Sequence, residues 1–165
     1  MGEASDNGTP TPRALWFDGP TIPPSWIDHN GHMNLARYSD AFYLGVRQLS
    51  NTLGFSREFK KRTRTASFAA KMIITYIEEL REDDQTLFEA RIVGFDARRI
   101  HAWFGLWHEA PRRLAATCEM LSLNIDTDER RVTDMTPEAI AAVQALHEAH
   151  RQLDPPQGLG EGIVV

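Results

Sequence analysis

The sequence predicts a single α+β domain in which an antiparallel meander of strands packs on one long apolar helix. Three observations predict it. The stretch from Asn34 to Leu53 carries Leu35, Tyr38, Phe42, Val46, Leu49 and Leu53, spaced 3, 4, 4, 3 and 4 apart, which is one apolar stripe of an α-helix. From Ser67 to Ile125 four runs rich in β-branched and aromatic residues recur at roughly ten-residue intervals, separated by short polar turns. The 165 residues, 42 % hydrophobic and 25 % charged, suffice for one real core and are ordinary for a globular chain.

In chain order, residues 1–13 are rich in Gly, Ser, Asp, Thr and Pro and are expected to form a disordered tail. Residues 14–153 form the domain. Ala14 to Ile22 is expected to be a first strand at an edge or bulge, because Pro20 cannot donate to a ladder. A polar turn, Pro23 to Asn34, leads into the long helix, and Gly54 is placed to end it. Ser56 to Arg64, with five basic residues, reads as a short helical or loop connection. Strands are then expected at Ser67–Leu80, Gln85–Phe95, Ile100–His108 and Leu114–Ile125. Thr136-Pro137-Glu138 has a cap residue followed by Pro at the first helical position, and opens a C-terminal helix with Ala139, Ile140, Val143, Leu146 and His150 on its inner face. Residues 154–165 are expected to be an extended tail.

Bulk properties exclude several function classes. A net charge of −5 offers no broad basic field for nucleic acid. The single cysteine, Cys118, rules out an intrachain disulfide and fits a reducing compartment. The first residues lack the apolar core of a signal peptide, and no apolar run approaches the roughly 20 residues of a membrane span, so a cytoplasmic location is expected.

The chemistry concentrates in the turn before the long helix. Asp28, His29, Asn30, His32 and Asn34 put a carboxylate, two imidazoles and two amides into seven residues, with Gly31 allowing a sharp bend. A turn feeding a helix also supplies free N–H groups and a positive dipole end. Asp28 is equally readable as a turn carboxylate and Asn34 as a helix cap. His29, His32 and Asp28 have spacing open to zinc, but no further ligand cluster accompanies them. No Gly-x-Ser-x-Gly elbow and no phosphate-binding glycine loop is present.

The string Trp26-Ile27-Asp28-His29-Asn30-Gly31-His32-Met33-Asn34, followed by Arg37-Tyr38, resembles the entrance to the central helix in hotdog-fold acyl-CoA thioesterases of the 4-hydroxybenzoyl-CoA thioesterase type. It is nearest the betainyl-CoA thioesterase branch, and the resemblance covers about residues 14–127. It implies the hotdog fold, an antiparallel sheet wrapped around the central helix. It implies hydrolysis of a small acyl-CoA, with Asp28 as general base or nucleophile and the backbone N–H groups around Gly31 and His32 as oxyanion donors. Asn30 and Asn34 hold the turn or touch the acyl group, and Trp26 and Tyr38 belong to substrate binding. No metal or redox cofactor is implied, coenzyme A being part of the substrate.

A betainyl group would want an aromatic cage, for which Phe42, Tyr43, Trp103 and Trp107 are candidates, although core packing accounts for such residues equally well. The phosphates of coenzyme A call for cations, with Arg62, Arg64, Arg98 and Arg99 as candidates beside the alternative of a solvated charged face. The chain departs from the branch at Lys71, where a Glu or similar polar residue is frequent, which leaves the acyl group open. The family implies a homodimer, in some members a dimer of dimers, with no membrane or nucleic-acid partner. The alternatives are a non-catalytic acyl-CoA-binding module or a hotdog dehydratase relative.

Overall fold

The computed structural model describes residues 13–160. The expected N-terminal tail therefore lies outside the described residues except for Arg13, as do the last five residues. The elements are β1 (Leu15–Asp18), α1 (Leu35–Thr52), α2 (Arg57–Thr63), β2 (Thr65–Tyr76), β3 (Thr86–Phe95), β4 (Arg99–His108), β5 (Arg113–Asp126), β6 (Arg131–Val132) and α3 (Pro137–His150). The strands make one antiparallel sheet in the order β1-β3-β4-β5-β2, with β6 paired to β5.

The long helix forms where the apolar spacing places it. Asn34 caps it by accepting from the Ala36 N–H, and Tyr38, Ala41, Phe42, Gly45 and Leu49 are its buried stripe. The sheet curls around this stripe in the hotdog arrangement. Phe88 and Ile92 of β3, Phe104 and Leu106 of β4 and Cys118 of β5 are fully buried in the same core. Gly45 lets the helix approach β3 closely, since a Cβ there would sit 3.1 Å from the Phe88 ring. Burial, with the neighbouring Glu119 charge, pushes the Cys118 thiol up to about 12.

Three expectations need correction. The first strand has four residues, not nine, because Gly19-Pro20 breaks it. A Cβ on Gly19 would lie 2.3 Å from the Thr86 hydroxyl, while Ile22, beyond the strand, stays in register through its N–H to the Asp84 carbonyl at 3.0 Å. A two-residue strand, β6, was not expected, its polar sequence being that of a turn. The segment 154–165 is no free extended tail as far as Gly160. The Asp154 carbonyl accepts from Arg91, the Gln157 carbonyl accepts from the Trp103 indole at 3.1 Å, and the Gly160 N–H donates to Glu119 at 2.9 Å. These anchors lie on the face of the sheet turned away from α1, so residues 154–160 cover it.

The same face and its edge hold polar groups that must remain paired. Glu89 is ion-paired to Arg91 at 2.5 Å, and His101 meets Glu119 at 3.1 Å. The ladder from β1 to β3 stops at Ala90, leaving the Ile92 N–H unpaired on the open edge. α3 packs on β3 there, and His150 Nδ1 accepts that N–H at 2.9 Å. An edge otherwise open to water is thus covered by a helix. Burial first, then the Arg91 charge, lowers the His150 pKa from 6.5 to about 4. The folded protein takes this proton only near pH 4 and the unfolded chain takes it near pH 6.5. Stability is therefore complete above pH 6.5 and declines as pH falls toward 4. Denaturant titration should show wild type losing on the order of 1–2 kcal/mol between pH 7.5 and pH 5 through this group. His150→Gln keeps an acceptor for Ile92 and cannot titrate, so its loss should be smaller by that amount. An identical loss in both proteins would assign the acid sensitivity to other groups.

Candidate functional site

The turn before α1 is a closed backbone loop. Ile27 and Met33 form an antiparallel bridge, the Asp28 N–H donates to the His32 carbonyl at 3.0 Å, and the Asn34 N–H donates to the Trp26 carbonyl at 2.8 Å. Gly31 sits at φ +81°, a backbone region that side chains other than glycine rarely adopt, and its N–H donates to the Asp28 carbonyl at 3.0 Å. The Asp28 carboxylate folds back on the same loop, with Oδ1 accepting from the Asn30 N–H at 2.8 Å. Oδ2 and the His32 N–H have no partner among the described residues. The Met33 N–H donates to the Leu80 carbonyl at 2.7 Å and ties the loop to the chain leaving β2.

That tie creates a cleft of ≈ 340 Å³ between the loop, the first turn of α1 and the end of β2. Asp28, Asn30 and His32 line one side. Leu35 and Tyr38 come from α1, and Tyr76, Ile77, Glu78 and Glu79 from the end of β2 and beyond. The Tyr38 and Tyr76 rings meet edge to face, 4.9 Å apart at 86°. Burial raises the Tyr38 pKa above 10, with a Leu80 backbone hydrogen bond pulling the other way. Glu78 is held by Arg113 at 2.7 Å. A second gap, between α2 and the sheet, is walled by Phe55, Phe59, Ile100 and Met135 and has ≈ 10 Å³ free, room for about one water. Among the described residues no three His, Cys, Asp or Glu side chains gather as metal ligands, and no helix is long and apolar enough to cross a membrane.

The predicted site residues divide sharply. Asp28, Asn30, His32 and Tyr38 line the cleft, with His32 Nδ1 3.4 Å from the Met33 carbonyl. His29 is exposed. Asn34 spends its side chain on the helix cap, accepting from the Ala36 N–H at 2.9 Å, and Trp26 packs against the core. Neither lines the cleft. The expected cage does not form. Phe42 is core, Tyr43 is exposed beside Arg47, and Trp103 and Trp107 flank Gly105 on the opposite face of the sheet. Trp103 is 1 % exposed and lies under the 154–160 segment.

The four arginines also lie outside the cleft, each paired with a carboxylate: Arg62 with Glu138 at 2.6 Å, Arg64 with Asp128, Arg98 with Asp134 at 2.5 Å and Arg99 with Asp96 at 2.5 Å. Lys71 stands at the bulge of β2 opposite Leu121, outside the cleft lining. Sequence reasoning missed Tyr76, Glu78 and Glu79. Their signal was an aromatic residue and an acidic pair at the end of a strand, which nothing in one sequence connects to a turn almost fifty residues earlier.

The chain is similar to known proteins over most of its length. The family model described as the thioesterase-like superfamily matches residues 22–143. The betainyl-CoA thioesterase of Pseudomonas aeruginosa is 26 % identical over 147 residues, covering 89 % of this chain and 92 % of the relative. An L-carnitine dehydrogenase/betainyl-CoA thioesterase of Rhizobium meliloti is 26 % identical over 142 residues, covering 84 % of this chain but 28 % of that longer protein. Among solved structures, a hypothetical protein from Staphylococcus aureus in complex with CoA superposes with a TM-score of 0.83 at 24 % identity, covering 93 % of this chain and 96 % of that one. A 1,4-dihydroxy-2-naphthoyl-CoA thioesterase of Synechocystis superposes with a TM-score of 0.71 at 12 % identity, covering 81 % and 98 %.

Asn34→Ala removes the side-chain acceptor at the helix entrance and is expected to cost about 1 kcal/mol in thermal or denaturant unfolding. Asn34→Asp keeps the acceptor and should cost only a few tenths of that. Equal losses in both variants would mean that the cap does not carry the effect.

Proposed function

This chain belongs to the thioesterase-like superfamily, and we propose that it hydrolyses a small acyl-CoA, betainyl-CoA foremost, to the free acid and coenzyme A. The observation that carries the reading is the Asp28 carboxylate, fixed through Oδ1 by its own loop and presenting a second oxygen at an open cleft. The betainyl-CoA thioesterases among its relatives support the acyl group, and the CoA-bound neighbour supports coenzyme A as the carrier.

In this reading Asp28 takes a proton from water as the water oxygen bonds to the thioester carbonyl carbon. The charge that develops on the carbonyl oxygen is met by backbone N–H groups at the helix entrance. Because Gly31 donates to the Asp28 carbonyl, the His32 N–H is the member of the Gly31–His32 pair whose hydrogen stays free for this role. Collapse of the tetrahedral adduct breaks the C–S bond, and the CoA thiolate recovers the proton from Asp28. The alternative route has the carboxylate attack the carbonyl carbon and expel the thiolate, forming a mixed anhydride that water then opens. Neither route uses a metal or redox cofactor.

A second protomer completes this picture. β2 is an edge strand of twelve residues, and Phe68, Met72 and Tyr76 in it and Ile77 just past its end are all at least 40 % exposed. A long apolar edge of this kind needs a cover. At about 3.3 Å per residue its two ends stand roughly 35 Å apart, too far for Arg62 and Arg64 to serve the Asp28 cleft of their own chain. Antiparallel pairing of two β2 edges sets Arg62 and Arg64 of one protomer beside Tyr76 and Glu79 of the other, where the phosphates of coenzyme A can reach them. The acyl-CoA pool and the reduced Cys118 thiol suit the cytoplasm.

Release of free thiol from betainyl-, acetyl-, hexanoyl- and 4-hydroxybenzoyl-CoA tests the reaction. The buried Cys118 thiol, raised to about 12, adds no background. Asp28→Asn should lower kcat by about 10²–10⁴ with unchanged folding. Turnover equal to wild type would remove Asp28 from the reaction. Single-turnover hydrolysis in ¹⁸O-water tests the anhydride route, since water opening the anhydride at the Asp28 carbonyl places label in the Asp28 side chain and leaves the product unlabelled, whereas the general-base route labels the product alone. Light scattering should give twice the 18.7 kDa chain mass, and Met72→Glu should give monomers with little activity. A monomeric and fully active wild type would overturn the shared-site reading.

A further inference from the structure

The cleft that carries Asp28 is lined by three carboxylates, Asp28, Glu78 and Glu79, and by the Tyr38–Tyr76 pair, while no Lys or Arg lines it. This combination discriminates by charge. An anionic acyl group is repelled, a neutral one gains nothing from the carboxylates, and a cationic one is attracted to both the carboxylates and the ring faces.

The carboxylates are not equivalent. Asp28 is committed to the loop and to the reaction. Glu78 is tied to Arg113 at 2.7 Å. Glu79 is ion-paired with Arg81 at 3.2 Å, with the two side chains 57 % and 71 % exposed. Exposed pairs of that kind contribute little and exchange partners readily. The two phenol rings stand at 86° to one another, so one side of a compact cation can lie on a ring face while another meets a ring edge or carboxylate.

Covalent geometry then selects among the aromatic residues of the chain. In a betainyl thioester one methylene separates the carbonyl carbon from the quaternary nitrogen, which puts the cation roughly 2.5 Å from the carbon under attack. Whatever recognises it must border the reacting carboxylate. Tyr38, Tyr76 and Glu79 line the same cleft as Asp28, whereas Trp103 and Trp107 are separated from it by the sheet.

We propose that Tyr76 and Glu79 are the specificity-determining residues of this cleft, seating a quaternary ammonium acyl group against the Tyr38–Tyr76 pair. The proposal rests on the thioesterase reading of the same cleft. A quaternary ammonium has no N–H to donate, so the seat works through the ring face of Tyr76 and the charge of Glu79, and neither needs to form a hydrogen bond. Tyr38, 4 % exposed, packs edge to face with the Tyr76 ring.

The test compares betainyl-CoA with 3,3-dimethylbutanoyl-CoA, the neutral isostere in which carbon replaces nitrogen. Wild type should show the higher kcat/KM for betainyl-CoA. Glu79→Gln and Tyr76→Leu should each lower the betainyl-to-isostere ratio about 3- to 30-fold, with turnover of the isostere retained. Tyr76→Phe keeps the ring and should keep the ratio, and Glu109→Gln, an exposed carboxylate outside the cleft, should leave it unchanged. A wild-type ratio near one, or a ratio unmoved by both Glu79→Gln and Tyr76→Leu, would overturn the assignment while leaving the hydrolase intact. Affinities of Asp28→Asn protein for the two esters, measured by calorimetry with and without Glu79→Gln, give the same ratio without turnover. If no CoA ester is hydrolysed at all, the thioesterase reading fails, and this binding ratio alone decides whether the cleft selects the cation.

Discussion

One backbone hydrogen bond, from the Met33 N–H to the Leu80 carbonyl at 2.7 Å, holds the functional end of the molecule together. It joins the loop that presents Asp28 to the chain leaving the edge strand. Two more bonds brace the same junction, the Ile22 N–H to the Asp84 carbonyl and the Asp83 N–H to the Ile22 carbonyl, each 3.0 Å. Met33, Leu80 and Ile22 are all buried at or below 2 % exposure, so these bonds are shielded from competing water. With this junction in place the loop cannot drift from β2, and the cleft has two fixed walls. Asn34 then starts α1 from the same loop, so the enclosed helix and the reactive turn are positioned by one set of contacts.

Much of the fold was legible because it follows from periodicity. The 3.6-residue stripe of α1 and the β-branched runs from Ser67 onward each place an element, and the capping residues Asn34, Ser56 and Thr136 mark where the helices begin. The loop chemistry was legible for a different reason. Asp28, Asn30, Gly31 and His32 are local in sequence, and a glycine among such polar neighbours marks a turn. What stayed hidden depends on contacts between distant residues. Tyr76 and Glu79 line one cleft with Asp28 because the Leu80 bond joins their two segments. His150 looks like the end of an apolar helix stripe until the missing β1 partner of Ile92 is known. The C-terminal segment reads as a Pro- and Gly-rich tail until Arg91, Trp103 and Glu119 supply its anchors.

The misplaced tryptophans teach the same lesson through strand geometry. Trp103 and Trp107 occupy one parity of β4, Ala102, Phe104 and Leu106 the other. Both faces of β4 are buried, so hydrophobicity could not tell which face meets α1. The answer lies in what covers each face. α1 covers the side of Phe104, and the side of Trp103 is closed by residues 154–160 together with the Glu89–Arg91 and His101–Glu119 pairs. Two covered faces leave the edge of β2 as the long apolar surface without a cover.

Charge along that edge is divided between its ends. Beyond the end of β2 stand Glu78, Glu79 and the Asp28 loop, and before its start stand Arg57, Lys60, Lys61, Arg62 and Arg64. Within one chain the ends are too far apart to neutralise each other. A twofold pairing of β2 with itself inverts the order and faces each acidic end with a basic one. The interaction that covers the apolar edge is then the one that supplies cations beside a cleft whose own lining has none. A carrier bearing phosphates and an acyl group bearing a positive charge would be received from opposite sides of the same opening, the phosphates by the partner's helix α2 and the cation by Tyr76 and Glu79. In the proposed pair, the separation of charge along β2, which looks like ordinary surface variation in one protomer, would orient the substrate with its carbonyl at Asp28.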